Sequence, residues 1–222
     1  MKGGHDLGGQ PDMGPINPEP ESAEPVFHAE WERRVFGLTL ATGMLGQWNI
    51  DESRHARERQ DPLDYLRNSY YENWLAGLET LLLEKGLVTQ EELQQATAAS
   101  SSPAEDSLRV PSPETAEDLL AAGASSLMPQ QDEPRFGIDD RVTVRHSETT
   151  GHTRVPRYAH GVTGRVVARL GCHSYPDSNA AGVHEGKQLY TVAFDGRDLW
   201  GSASPRSEVL IDLWEPYLDS AS

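Results

Sequence analysis

The stretch FGIDDRVTVR, residues 136–145, together with GVTGRVVARL, residues 161–170, decides the fold. β-Branched residues in these runs alternate with polar ones, the period of two that belongs to half-buried strands. A Gly-containing turn between such runs lets the chain reverse tightly. QLYTVAF (188–194) and EVLIDLW (208–214) repeat the pattern, with Gly, Asp, Ser and Pro in the gaps. Four or five short strands with no helical period predict a small closed β-barrel over 134–222.

Upstream the pattern changes. Residues 96–133 are rich in Ala, Ser, Pro and acidic groups, a composition that buries too little apolar surface to offset the entropy of ordering. They are predicted to form a flexible acidic linker, with one or two helical turns around PETAEDLLAAG (113–123). Before the linker the periods are helical. Trp31, Val35, Leu38 and Met44 recur at near-helical spacing between Glu30 and Leu45. IDESRHARERQ (50–60) carries charges on most faces and can be capped by Asn49 or Asp51, so this helix is exposed or buried against a polar partner. Asp61-Pro62 opens a third helix, predicted to run unbroken to Gly86 with Tyr70, Trp74, Leu78 and Leu82 along one stripe. Thr89 and Glu92 form the capping box of a last short helix over 90–97. Residues 1–25, crowded with Gly, Pro and Asn, read as an extended arm without a core of its own. The expected class is α+β: an N-terminal arm and all-helical domain (1–95), the linker (96–133), and a barrel domain (134–222) whose opening hairpins resemble those of SH3-like β-barrels.

The net charge of −16 is unevenly spread, with 8 basic against 17 acidic groups in 1–95, 1 against 7 in 96–133, and 10 against 11 in 134–222. Even the most basic third has no excess positive field to offer a polyanion, which argues against nucleic acid and anionic membrane as partners. The N-terminus has no apolar signal core, and no uninterrupted apolar run approaches the roughly 18 residues of a membrane span. A soluble, cytoplasmic protein is expected. Cys172 is the only cysteine; it excludes an intrachain disulfide, suits a reducing compartment, and rules out a thiolate-rich metal site built by this chain alone. It is expected to be a small buried residue. None of the eight histidines shows HxH or HExxH spacing.

Nine stretches occur in a fixed order: HDLGG (5–9), EPVFHAEWE (24–32), DESRHARER (51–59), SYYENW (69–74), EKGLVTQEEL (84–93), GHTRVPRYAHGVTGRV (151–166), LYTVAF (189–194), DLWG (198–201) and DLWEPYL (212–218). Together they resemble the β subunit of nitrile hydratase over nearly the whole chain, and only the linker departs freely. That family adds water to nitriles at a low-spin cobalt or iron centre, held by a Cys-rich loop of the α subunit in which two ligand cysteines are oxidised to sulfenate and sulfinate. The resemblance implies that this chain binds no cofactor itself. It also implies an obligate α-subunit partner, in an αβ or α2β2 assembly, and a small nitrile substrate.

The resemblance assigns two arginines to the oxygens of the oxidised cysteines, and the matching positions are Arg54, in DESRH, and Arg154, in GHTR. Guanidinium suits a sulfinate because it offers two parallel N–H donors and keeps its charge, and holding the anion shields it from irreversible oxidation. The bland alternatives are a solvated helix residue pairing with Glu58, and a loop arginine meeting phosphate or solvent. Tyr70 and Trp74 match the tyrosine and aromatic at the family's pocket mouth, one turn apart. Tyr70 would give a hydroxyl to water or substrate and Trp74 an apolar wall; an aromatic stripe that is merely core is the plainer reading. Trp74 leans the metal towards cobalt. Ile50 matches another pocket-lining position, and Ser53 stands where some members have Phe. Arg57 is expected to face elsewhere or meet only solvent. His5, His28 and His55 match positions that look structural.

Three other functions compete. A thiocyanate hydrolase splits the two halves of this sequence into separate chains, and the activator or metallochaperone of such enzymes resembles the helical half alone. A free-standing SH3-like adaptor explains neither DESRH nor SYYENW.

Overall fold

Side-chain caps set the boundaries of the N-terminal helices. The computed structural model describes residues 3–10, 12–96, 108, 110–130, 132–146 and 150–221. Helix α1 (Glu30–Gly43) starts without a capping hydroxyl; instead buried Glu32 reaches back to accept from the His28 and Ala29 N–H groups. Helix α2 (Ile50–Glu58) is capped by Asn49, whose Oδ1 accepts from Asp51 and Glu52 N–H at 2.9 and 3.0 Å. Asp61 and Pro62 open α3 (Pro62–Arg67) as the sequence predicts, but the helix does not continue to Gly86. It stops at Asn68, and α4 (Tyr70–Glu84) begins afresh from Ser69, whose N–H donates to Glu72 Oε2 at 2.6 Å. Thr89 and Glu92 cap α5 (Gln90–Gln95), and α6 (Pro113–Ala122) follows Ser112.

Charged α2 packs against α4 by pairing its polar flank. Lys85 Nζ lies 2.6 Å from Glu52 Oε1, and the Arg59 fork donates to both oxygens of Glu84 at 2.7 and 2.9 Å. Gly77 lets the helices approach, since a Cβ there would stand 2.4 Å from Arg57 Cγ.

The second half is an antiparallel sheet of β1 (Arg141–Val144), β2 (Thr163–Ser174), β3 (Gly186–Asp195), β4 (Glu208–Trp214) and β5 (Leu218–Ser220), in the order β4-β3-β2-β1-β5. Alternation puts Val142, Val144, Val166, Val192, Phe194 and Leu213 on the buried face. Gly164 is required in β2, because a Cβ would come within 2.6 Å of Val192 Cγ1 and 2.7 Å of the Ala193 carbonyl. The expected closed, SH3-like barrel is corrected here to an open sheet. After β4 the chain turns through a 3-10 segment, Glu215–Tyr217, containing Pro216, and only three residues of β5 remain to pair with β1. Among the described residues β4 and β5 are not paired to each other. Two short helices also interrupt what reads as all-β sequence, α7 (Pro176–Asn179) and α8 (Gly196–Trp200).

The chain divides into two units: a helical unit of Gly3–His5 and Met13–Ala124, and a sheet unit that takes Asp6–Asp12 with Ser125–Ser222. In the sheet unit Asp6 accepts from the Arg157 N–H, and Gly8 and Gly9 lie against the rings of Tyr158 and Trp200. Of the segment expected as linker, residues 97–107, 109 and 131 lie outside the described residues. The remainder holds α6 and a bridge between Leu127 and His173 of β2. No described helix is long and apolar enough to cross a membrane.

Candidate functional site

Helices α1, α2, α4 and α6 of the helical unit line an open cavity of ≈ 550 Å³, a size in the range of small-molecule sites. Ile50, Ser53 and Trp74, all singled out in the sequence, line it together. Tyr70 stands one turn before Trp74 with its ring 5.7 Å away, and it is 66 % exposed. That exposure sets it apart from a core aromatic, and it is not among the residues that line the cavity.

Arg54 pairs with Asp51. Its Nη1 donates to Asp51 Oδ1 at 2.9 Å, one turn back, and that aspartate is only 4 % exposed while the Arg54 side chain is half-exposed. A buried carboxylate thus anchors one nitrogen of the guanidinium and leaves the others for something outside the helix.

Arg57 is where the sequence reading misplaces a residue. It lines the cavity, with its guanidinium 4.5 Å over the Trp74 ring, Nε donating to the Ser53 carbonyl at 3.2 Å and Nη2 to Ser53 Oγ at 3.0 Å. Burial, the largest influence, pulls its pKa below the ordinary guanidinium value. The small Ser53 and Gly77 make this fold-back possible, and neither residue advertises it in a linear pattern. Leu119 and Leu120 of α6 also line the cavity; the apolar pair inside PETAEDLLAAG was the signal available for them.

Arg154 belongs to the sheet unit. It lies exposed between buried His152 and Val155, and its N–H donates to Tyr217 Oη at 3.3 Å. Tyr217 in turn donates its hydroxyl to Asp177, which also accepts from Tyr175 at 3.1 Å. Burial lifts the Asp177 carboxyl above its ordinary pKa, against the opposing pull of these hydroxyls and of nearby His152. Burial and Asp177 push the Tyr217 hydroxyl up as well. The loop bearing Arg154 is therefore fastened by a network that stays neutral at the tyrosines. Among the described residues no group of three or more His, Cys, Asp or Glu side chains could hold a metal ion, and Cys172 is a buried free thiol.

Comparison with known proteins gives a consistent answer along the chain. The family "Nitrile hydratase beta subunit, N-terminal" matches residues 1–122 and "Nitrile hydratase beta subunit, C-terminal" matches residues 125–220. The chain belongs to the nitrile hydratase β-subunit family. The nitrile hydratase subunit beta of Pseudomonas putida is 39 % identical over 224 residues, covering 100 % of both chains. The low-molecular weight cobalt-containing nitrile hydratase subunit beta of Rhodococcus rhodochrous is 39 % identical over 98 % of this chain and 99 % of that one. The cobalt-containing β subunit of Pseudonocardia thermophila is 34 % identical over 99 % and 96 %. A thiocyanate hydrolase chain from Thiobacillus thioparus overlaps 40 % of this chain and 78 % of its own length at 26 % identity and a TM-score of 0.38, too slight a likeness to bear on function.

Proposed function

We propose that this chain is the β half of a cytoplasmic, heteromeric nitrile hydratase, which hydrates a small nitrile to its amide once joined to an α subunit in an αβ unit or its dimer, α2β2. The observation that carries the reading is the match to β-subunit relatives along the length of the chain. The metal belongs to the partner, and two cobalt-containing relatives favour cobalt over iron. When bound there it supplies Lewis-acid activation of nitrile or water.

This chain's residues bind and orient. Arg54, held by buried Asp51, and Arg154, on its Tyr217-fastened loop, donate to the oxyanions of the partner's oxidised cysteines. Tyr70 offers its exposed hydroxyl to the water or substrate, and Trp74, Ile50 and Ser53 wall the carbon skeleton of the nitrile. The test is amide release by the purified chain, by its α partner, and by the co-expressed pair. Turnover by the pair alone is expected; stoichiometric metal in the isolated chain, or turnover by it, contradicts the reading.

A further inference from the structure

The hydroxyl and amide side chains of the cavity are engaged. Thr39 Oγ1 donates to the Val35 carbonyl, Asn49 Oδ1 caps α2, and Ser53 Oγ accepts from Arg57. Arg57 differs. It is the one charged residue of the lining, yet among the described residues it forms no ion pair, and its Nη1 donates no hydrogen bond. Its neighbours Tyr70, Tyr65 and Glu58 favour the charge at longer range, but a half-buried cation whose nearest contacts are an aromatic face and one serine is costly unless a further acceptor meets it. Its position is fixed beforehand by the stack on Trp74, the two bonds to Ser53 and the close fit at Gly77. A donor locked in this way adds discrimination without an ordering cost at binding.

We propose that Arg57 sets substrate preference, presenting the free Nη1 donor to a hydrogen-bond acceptor on the ring or tail of the nitrile, so that acceptor-bearing nitriles are favoured over hydrocarbon ones of equal shape. The proposal rests on the nitrile-hydrating reading above. A site built around a buried donor discriminates strongly against a ligand that leaves it unpaired, whereas apolar walls of the same shape discriminate little.

The experiment uses the assembled αβ enzyme and compares kcat/KM for acetonitrile, benzonitrile and 3-cyanopyridine in wild type, Arg57→Leu and Arg57→Gln. Benzonitrile and 3-cyanopyridine share a shape and differ by one ring acceptor. Arg57→Leu is expected to lower the preference for 3-cyanopyridine over benzonitrile about tenfold, chiefly through KM. Arg57→Gln, which keeps a neutral donor, should fall between, and acetonitrile, which carries no second acceptor, should lose no more than benzonitrile does. An unchanged preference in assembled variants overturns the proposal. So does a failure of both variants to assemble, which would make Arg57 a packing or interface residue. A wild-type pair that hydrates no nitrile contradicts the nitrile-hydrating reading itself, and this proposal falls with it.

Discussion

In the sheet unit twelve buried side chains, among them Tyr190, Phe194, Leu213 and Leu218, form one continuous cluster, whereas the buried apolar residues described in the helical unit are Val35, Ala56, Leu78 and Leu81. The helical unit instead buries Glu32, Asp51 and Ser53 and leaves Leu38, Ile50, Leu63, Leu66 and Tyr70 exposed. Burial of apolar area is the dominant favourable contribution to folding, so the first region is organised around itself and the second around something yet to be added. Exposed apolar and aromatic side chains on such a scale mark a recognition surface. The lesson is a division of labour: the sheet unit holds the Arg154 loop in place, and the helical unit, with Arg54 and the cavity, is the part that the proposed partner would complete.

Hydrogen exchange can break this contrast most visibly. In the isolated chain the amides of α1, α2 and α4 are expected to exchange about a hundredfold faster than those of β2 and β3, a local opening difference of roughly 3 kcal/mol. Adding the α subunit should slow the helices and leave β2 and β3 nearly unchanged. Equal protection of both units in the isolated chain would remove the distinction.

A smaller effect sharpens the account of the sheet unit. Because burial raises the Asp177 pKa in the folded state, the stability it contributes is fully present below the ordinary carboxylate range and is lost as pH rises through the raised value. Asp177→Asn is neutral at every pH and lacks that slope. The melting temperature of wild type relative to the variant should therefore fall as pH rises from about 4 to about 7, by about 2–4 °C for each kcal/mol of linkage. A difference that stays constant with pH would show that Asp177 titrates normally.

The smallest effect belongs to the segment expected from the sequence as a linker. Deleting residues 98–107 from the co-expressed chain should leave assembly and turnover nearly intact, since loop-length changes cost tenths to about 1 kcal/mol. Loss of the heteromer would make that segment an interface element and end its description as a linker.

Local chemistry was legible in the sequence, and tertiary placement was not. Asp61-Pro62, Asn49 and Thr89-x-x-Glu92 announced helix starts that the structure bears out, because a cap is decided within four residues. Ser69-x-x-Glu72 carried the same signal and was passed over, so one helix was expected where α3 and α4 stand. Strand period located β1 to β4, yet closure depends on how far β5 extends past Pro216, which no period encodes. In the site, the one-turn spacing of Tyr70 and Trp74 brings their rings together, though only Trp74 lines the cavity. Asp51, which pairs with Arg54, was not singled out for that role, since Asp51 and Glu58 both lie about one turn away and only burial distinguishes them. Arg57 looked like a solvent residue because its cover, Trp74 and Gly77, comes from α4.

The central claim is that the helical unit contributes half an active site through Arg54, and the most direct measurement is the turnover of Arg54→Lys in the assembled enzyme. Lysine keeps the charge but loses the forked donor, and a charge-assisted hydrogen bond to a buried anion is worth roughly 1.5–3 kcal/mol. A fall in kcat of about ten- to a hundredfold is expected with the heteromer intact, and a similar fall for Arg154→Lys. Turnover within a factor of two of wild type for Arg54→Lys would show an ordinary surface arginine paired with Asp51, and would contradict the account.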